Sequence, residues 1–441
     1  MTQGSKTPFF SIVMPTRNRG SLLRASLKTA IHQNFDDYEI IVCDNNSTDD
    51  TRAIVEAAQD ESDRVRYVNP NRDLSMCDNW DFAFTHARGR FIAYLSDDDG
   101  LLPDSLSYAY ELVSKFNIEL LVWPFAYYQH PDIPDPKHSA LLSCDFMTGR
   151  LFEVASDSII RGLFDFQQDD MIAIIPRMHN SVVDRALVER AARVTKRFFV
   201  PPFPDYTTSC QMLAVTESYH FVDVPLYILG SSAISNTGMH YDRKGKFSAY
   251  TSMYEENLLA GVPVPMEYLT APYLFATYRF FQGLYPEKFR HAINIDAFYQ
   301  AMFTELTTYE DHDDVSLEFK ELAGYMREHY GRDDVFDRLW EKHITNKQTD
   351  LRKRNSNIEL LSQRIRDNKT LYRFAKTIKN YVAPARPRYV EFSNVASIYD
   401  ASRLLQEKLP ALAPINSSLH PEPATSTWFL HELRKAQQLA G

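Results

Sequence analysis

Three adjacent carboxylates are the residues best suited to chemistry in this chain. Asp97, Asp98 and Asp99 follow the apolar run Phe91–Leu95 and precede Pro103. Carboxylates crowded in this way repel one another unless a cation neutralises them. A divalent ion such as Mg²⁺ or Mn²⁺ binds one or two carboxylates together with diphosphate oxygens, so the run predicts a cation site for a phosphate-bearing ligand. The alternative is a solvated acidic turn that caps the next helix.

The elements that position these acids are predicted from hydrophobic periodicity between Phe9 and Trp123. Apolar runs alternate with amphipathic stretches, which is typical of a Rossmann-like α/β fold with a mostly parallel sheet and helices on both faces. Ligands bind such sheets at the carboxyl ends of the strands, where the three acids stand. Strands are predicted at Phe10–Met14, Glu39–Cys43, Arg64–Val68, Phe91–Leu95 and Leu120–Trp123, and helices at Gly20–Gln33, Thr48–Gln59, Cys77–Ala87 and Pro103–Lys115.

The rest of the chain divides less regularly. A proline- and aspartate-rich connection at Tyr127–Lys137 indicates a boundary, and beyond Tyr250 helical periodicity dominates. We therefore expect one half-domain over 1–125, a second over 126–248, a helical extension over 249–350 and a basic helical tail over 351–441. Between the boundary and Tyr250 the pattern predicts a strand at Met171–Ile175, a helix at Val182–Ala192, a helix after Asp205 and a strand near Val224–Leu229.

Three motifs in order resemble those of family 2 glycosyltransferases with a GT-A fold. The resemblance is strong from Phe9 to Pro103, weaker to Thr216, and absent from the final two hundred residues. It implies an inverting enzyme that uses a nucleotide-sugar and a divalent cation. The motifs are Ser11-Ile12-Val13-Met14-Pro15-Thr16-Arg17-Asn18-Arg19, Val42-Cys43-Asp44-Asn45-Asn46-Ser47-Thr48-Asp49 and Ser96-Asp97-Asp98-Asp99.

The resemblance also implies donor-binding residues. Asn45 departs from the acidic pair usual in the family, and an amide accepts guanine or thymine as readily as uracil. The alternatives are a surface position for Arg17, a capping role for Asp44 and Asn45, and a core helix that explains Asn79. The implied donor-binding residues are Pro15, Thr16, Arg17, Asp44, Asn45, Asn79 and Asp97.

The implied catalytic groups come from both halves. Asp98 and Asp99 match the metal-binding acids, and His240 lies in a polar loop that could add an imidazole to the metal or the diphosphate. Asp205 matches the family's general base, which must accept the proton of an acceptor hydroxyl. The alternatives are a surface histidine at 240 and a helix N-cap at 205; Asp169 and Asp170 are rival bases.

Composition limits the choice of partners. The formal charge is −10, which disfavours general attraction to nucleic acid. No apolar run approaches the roughly 20 residues that span a bilayer, so a cytoplasmic protein is expected, either free or peripheral on the inner face of the cell membrane. Within 351–390 eleven Lys and Arg stand against two acids, a net excess of nine. This segment predicts contact with an anionic membrane surface or, equally well, a solvated basic helix.

The combined expectation is a glycosyltransferase that extends a glycan or lipid-linked acceptor in bacterial surface polysaccharide synthesis, with a UDP-sugar favoured as donor. A nucleotidyltransferase of sugar phosphates would need a glycine-rich loop after the first strand, and Pro15–Gly20 contains one glycine. A non-catalytic glycan-binding scaffold would have no need of the retained acids.

Overall fold

The computed structural model describes residues 7–135, 138–144, 149–168, 171–201, 203–234, 258–309, 315–331, 334–355, 390–408 and 421–424. The first 122 residues contain every strand and helix predicted there, with boundaries that differ by at most three residues. The strands are β1 (Phe10–Thr16), β2 (Tyr38–Asp44), β3 (Val65–Val68), β4 (Phe91–Tyr94), β5 (Gly100–Leu101) and β6 (Leu120–Val122). The helices are α1 (Gly20–Ile31), α2 (Thr51–Glu61), α3 (Met76–His86) and α4 (Ser105–Phe116).

The middle of the chain adds strands to the same sheet and builds a second one. Its strands are β7 (Phe125–Gln129), β8 (Leu141–Cys144), β9 (Leu151–Ala155), β10 (Ser181–Asp184), β11 (Ser218–Val222) and β12 (Tyr227–Ser231). Its helices are α5 (Ser156–Phe164), α6 (Arg185–Thr195) and α7 (Pro204–Ala214). The C-terminal part contributes α8 (Thr270–Leu284), α9 (Ile295–Tyr309), α10 (Ser316–Tyr330), α11 (Asp334–Asn355), β13 (Val390–Phe392), α12 (Ile398–Lys408) and β14 (Glu422–Ala424).

The larger sheet has the strand order β14-β9-β11-β6-β10-β4-β1-β2-β3, and the smaller has the order β13-β8-β7-β12-β5. Five of the eight neighbouring pairs in the larger sheet are parallel, and β10 and β9 make the antiparallel ones. Helices cover both faces. On β1, Val13 packs against the cluster that contains α3, α6 and α7, while Ile12 packs against α1, α2 and α4. The predicted α/β class with a helical C-terminal region is therefore confirmed.

Some predictions for the middle of the chain are wrong. Met171–Ile175 is a turn and not a strand, because the N–H groups of Ile174 and Ile175 donate to the Met171 carbonyl oxygen, and the turn buries these three side chains on one side. The helix predicted at Val182–Ala192 begins as β10, since two adjacent valines hydrogen-bond between β4 and β6, and α6 starts only at Arg185. The connection predicted from Tyr127 begins later, because β7 continues to Gln129. The strand near Val224–Leu229 lies slightly downstream, as β12.

The C-terminal part packs as helices and then returns to the sheets. α8, α9 and α10 share an apolar core that includes Phe275, Phe298 and Phe319. α12 then packs on β5, where the Ser402 hydroxyl donates a hydrogen bond to the Leu101 carbonyl oxygen at 2.7 Å. The described parts of 351–441 therefore include strands as well as helix, and α12 supports the strand that directly follows the three acids. In the described residues, every helix is too short or too polar to cross a bilayer.

Candidate active site

The first of the three acids, Asp97, is held by residues that follow β1. Thr16 Oγ1 donates a hydrogen bond to Asp97 Oδ2 at 2.8 Å, and Arg19 Nη1 donates to Oδ1 at 3.1 Å. Burial acts to lower the pKa of Arg19, but the charges of Asp97 and Asp98 outweigh it and raise that pKa. Both carboxylate oxygens of Asp97 thus have donors, and the contacts join the exits of β1 and β4.

The third acid, Asp99, is held from β12. The Tyr227 hydroxyl donates to Asp99 Oδ2 at 2.6 Å, and the Gly230 N–H donates to Oδ1 at 2.6 Å. Glycine is required at 230, because a Cβ there would lie 1.8 Å from the Asp98 carbonyl oxygen. Burial raises the pKa of Asp99, although the charge of His179 and the two hydrogen bonds oppose it. Asp99 is therefore anchored through both oxygens.

The middle acid, Asp98, is positioned through its backbone and carries the less restrained carboxylate. His130 Nε2 donates to the Asp98 carbonyl oxygen at 2.8 Å, while Arg19 Nη1 lies 3.9 Å from Oδ2, beyond hydrogen-bond distance. The residue is 6% exposed. Burial, followed by the charges of Asp99 and Asp97, raises the pKa of Asp98 well above its usual range. A carboxyl group in this position gains more than its neighbours from an added cation.

A divalent cation fits this arrangement. Among the described residues, no group of three or more His, Cys, Asp or Glu side chains is arranged to hold a metal on its own. Mg²⁺ and Mn²⁺ often bind through one or two carboxylates and complete their shell with diphosphate oxygens and water, which suits a lone available carboxylate at Asp98. His240, the third predicted metal ligand, lies outside the described residues, as do Asp169 and Asp170.

The residues predicted to bind the nucleotide line the neighbouring strand exits. Pro15 and Thr16 end β1 and are buried. Arg17 is exposed, with Nη2 2.7 Å from Asp73 Oδ2. Asp44 ends β2 and accepts hydrogen bonds from the Ser47 N–H and from the Tyr67 hydroxyl.

Asn45 and Asn79 are both engaged by the protein itself. The Asn45 amide makes a reciprocal pair with the Leu74 backbone, donating to its carbonyl oxygen and accepting from its N–H at 2.9 Å each. Asn79 is 3% exposed, and the Cys43 thiol donates to its Oδ1 at 3.2 Å. Both amides therefore join elements around β2, and their roles toward a donor stay predictions.

Asp205 lies in the first turn of α7, with its side chain 41% exposed. The N-cap of that helix is Phe203, so the capping alternative for Asp205 is wrong. The capping alternative for the three acids is wrong too, because α4 begins after Asp104 and the acids are buried. The group that faces Asp205 Oδ1 is His179 Nδ1, 3.2 Å away.

His179 is the residue of this site that the sequence analysis missed. It belongs to a single 3₁₀ turn, Met178–Asn180, directly before β10. Its ring meets the edge of Trp80 in α3 with centroids 5.3 Å apart, and Trp80 stacks on Tyr94 of β4 at 5.3 Å. The charge of His179 also acts on Asp99. His179 thereby connects Asp205 of α7 to the acids at the exit of β4.

Part of the chain is similar to known glycosyltransferases. The family model described as Glycosyl transferase family 2 matches residues 11–197. A GalNAc(5)-diNAcBac-PP-undecaprenol beta-1,3-glucosyltransferase of Campylobacter jejuni is 41% identical over 101 residues, which are 23% of this chain and 33% of that protein. The UDP-Glc:alpha-D-GlcNAc-diphosphoundecaprenol beta-1,3-glucosyltransferase WfgD of Escherichia coli is 30% identical over 111 residues, which are 25% of this chain and 43% of that protein.

The similarity to these relatives is confined to one part of each protein. The matched segments span less than half the length of both relatives. A solved structure of TarS from S. aureus covers 76% of this chain and 91% of its own, with 13% identity and a TM-score of 0.42. At that TM-score the likeness carries no weight for function.

Proposed function

Because residues 11–197 form a family 2 glycosyltransferase domain, we propose that this chain transfers a sugar from a nucleotide diphosphate donor to a hydroxyl of a glycan or lipid-linked acceptor. The observation that carries the proposal is the buried trio of acids at the exit of β4. Two of them are saturated by protein donors, and Asp98 keeps a carboxylate that favours a cation. This is the arrangement that a diphosphate and its counter-cation require.

The reaction is an inverting displacement. The acceptor oxygen forms a bond to the anomeric carbon, the bond from that carbon to the diphosphate oxygen breaks, and the nucleoside diphosphate departs. Asp205 takes the proton that the acceptor hydroxyl loses. A divalent cation, when bound, supplies charge to stabilise the departing diphosphate. Asp98 would hold that cation, and Arg19 and Thr16 fix Asp97 beside it.

A UDP-sugar is the favoured donor, and a diphosphate-linked polyprenol glycan is the favoured acceptor. The support is that the E. coli relative is a UDP-Glc:alpha-D-GlcNAc-diphosphoundecaprenol glucosyltransferase and that the C. jejuni relative is a GalNAc(5)-diNAcBac-PP-undecaprenol glucosyltransferase. Polysaccharide synthesis at the inner face of the cell membrane would follow. The basic segment 351–390, with its excess of nine positive charges, suits contact with anionic lipid, and it lies almost wholly outside the described residues.

The test is nucleotide release from a panel of nucleotide-sugars by the full chain, with and without Mn²⁺. We expect one UDP-sugar to raise the melting temperature with Mn²⁺ and to yield UDP with a lipid-linked acceptor. Asp98→Ala should lose Mn²⁺-dependent release, and Asp205→Asn should lower kcat by about 10²-fold or more. If both variants transfer sugar as the unsubstituted chain does, the proposal is wrong.

A matched control is available in α5. Asp157 also lies in the first turn of its helix and also contacts a histidine, with its Oδ1 2.9 Å from His291 Nε2. Its charged partners are His291 and Arg290, neither of which contacts the acids at the exit of β4 in the described residues, so Asp157→Asn should keep transfer unchanged. Loss of activity in both aspartate variants would point to a general defect in folding.

The membrane contact has its own test. Arg373, Lys376 and Lys379 are replaced together by glutamate, and sedimentation with vesicles that contain anionic lipid is measured. We expect vesicle binding to fall while UDP-sugar binding persists. Undiminished sedimentation would refute the contact.

A further inference from the structure

We propose that His179 is a positioning residue for Asp205, which holds one carboxylate oxygen so that the other faces the acceptor hydroxyl. The inference rests on the proposed glycosyl transfer and adds a residue to it. The contacts of His179 indicate this role, and no sequence motif contains the residue.

The two oxygens of Asp205 differ in their surroundings. Oδ1 is buried, and no group in the described part of the chain makes a well-aligned hydrogen bond to it. His179 Nδ1 lies 3.2 Å from it, within ion-pair distance. The side chain as a whole is 41% exposed, so Oδ2 is the oxygen on the open side. In enzymes without substrate, catalytic hydrogen bonds are often poorly aligned and become shorter and straighter when substrate binds.

The imidazole is held in place by its own segment. The Asn180 side-chain amide donates to carbonyl oxygens of Trp123, Ala173 and Ile175, and its Oδ1 accepts from the Arg177 N–H at 2.9 Å. These bonds pin the 3₁₀ turn between β6 and β10. The His179 side chain is 10% exposed, so the ring has little room to change rotamer.

Aromatic contacts fix the ring from the other side. Trp80 meets His179 edge-on, and the same indole contacts Phe199 at 5.2 Å between ring centroids. Phe199 is in the segment that leads into α7, and its N–H donates to Asp81 Oδ1 at 3.1 Å. α3 therefore positions both members of the pair, the histidine through Trp80 and the approach to Asp205 through Asp81.

Proton transfer to Asp205 depends on the orientation of its carboxylate. When substrate binding aligns the pair, Nδ1–H donates to Oδ1 and leaves the lone pairs of Oδ2 to accept the acceptor's proton. This contact stabilises the orientation of the carboxylate before the proton moves. No covalent bond to His179 forms, and its own proton stays on Nδ1. A misplacement of about 1 Å in a catalytic group costs up to about 10²-fold in rate, so loss of the contact should appear in kcat.

The experiment compares His179→Ala with His179→Asn in the full chain. Asparagine places an N–H near the position of Nδ1, whereas alanine removes the donor. We expect the alanine variant to lose about 10- to 100-fold in kcat, the asparagine variant to lose less than about fivefold, and the donor KM to stay within about twofold in both. If alanine prevents folding, His179→Gln replaces it, because its longer amide places the donor away from Nδ1.

A double-mutant cycle separates positioning from an independent role. Asp205→Asn and the double variant should have the same residual rate, because a residue that acts through Asp205 has nothing to act on after that change. The corresponding pair of Asp157 and His291 serves as control, and His291→Ala should leave kcat unaltered. Multiplying effects of the two substitutions, or a changed affinity for Mn²⁺ in His179→Ala, would overturn the inference.

The outcomes also distinguish this inference from the function on which it rests. A normal kcat in His179→Ala together with an inactive Asp205→Asn would refute the role of His179 alone. If the unsubstituted chain transferred sugar from none of the donors, the proposed function and the inference would both be wrong.

Discussion

Replacement of Asp98 by asparagine should stabilise the ligand-free protein while it abolishes transfer. The carboxyl group is buried beside Asp97 and Asp99, and burial together with their charges raises its pKa well above the usual range. Arg19 at 3.9 Å is too distant to hydrogen-bond to it. Asparagine keeps the shape and removes the charge. Relief of one poorly compensated buried polar group contributes about 1–3 kcal/mol to the free energy of unfolding.

The effect should depend on pH in a defined direction. A carboxyl group with a raised pKa in the folded state contributes stability that is fully present below its unfolded pKa of about 3.9, and that is lost as pH rises through the folded pKa. Asp98→Asn should therefore match the unsubstituted protein below about pH 3.9 and exceed it increasingly as pH rises toward the folded pKa, above which the difference is constant. At about 2–4 °C per kcal/mol for a domain of this size, the expected rise in Tm once the difference is complete is roughly 2–12 °C.

The assay is thermal unfolding of both proteins from pH 5 to pH 8.5, with and without Mn²⁺ and UDP. Ligand should raise the Tm of the unsubstituted protein and leave that of the variant unchanged, because the charge that attracts the cation is gone. Asp63→Asn, an exposed acid before β3, should shift Tm by less than about 1 °C. A variant with a lower Tm at pH 8, or one that retains Mn²⁺-dependent transfer, would refute the reasoning.

Three further predictions concern buried contacts, the first two of them around the acids. Gly230→Ala should lower the free energy of unfolding by about 3 kcal/mol or more and abolish transfer, because its Cβ would overlap a backbone carbonyl. The control is Gly324→Ala in α10, where the Cβ meets open space. It should raise the free energy of unfolding by about 0.5–1 kcal/mol. Urea unfolding measures both, and equal shifts would contradict the clash. Tyr227→Phe removes a hydrogen-bond donor to Asp99 and should lower the free energy of unfolding by about 1–3 kcal/mol. An unchanged midpoint of urea unfolding would show that this hydrogen bond contributes nothing. Glu39→Gln should lower the free energy of unfolding by about 3 kcal/mol at pH 7, because Glu39 is buried between two arginines and a serine. Burial acts to raise the pKa of Glu39, but hydrogen bonds from these groups outweigh it and lower that pKa. Its contribution is present above about pH 4.3 and is lost as pH falls through the lower folded pKa, so acid unfolding curves of the two proteins should converge at low pH.

The alternation of strands and helices over the first 122 residues is encoded locally, which is why sequence alone determined it. The strands β1, β2, β4 and β6 are buried on both faces of the sheet, and the helices carry one apolar face, so the periods of the pattern are clear. Prediction from local sequence failed at Met171–Ile175, where a run of apolar residues forms a turn and not a strand. Its buried residues are spaced as in a helical turn, and an unbroken run of apolar residues does not show which of them face the core.

The sequence also determined that Asp97, Asp98 and Asp99 stand together at a strand exit, but the tertiary structure decided how they differ. The donors to Asp97 come from β1 and the residues after it, 81 positions away for Thr16, and the donors to Asp99 come from β12, 128 and 131 positions away. Likewise, nothing local to His179 indicates a partner in α7. Hydrogen bonds between residues so far apart depend on sheet order and strand register, which no short window of sequence records. The chain's local pattern therefore specified which residues could react, and the packing of distant segments set which carboxylate is available.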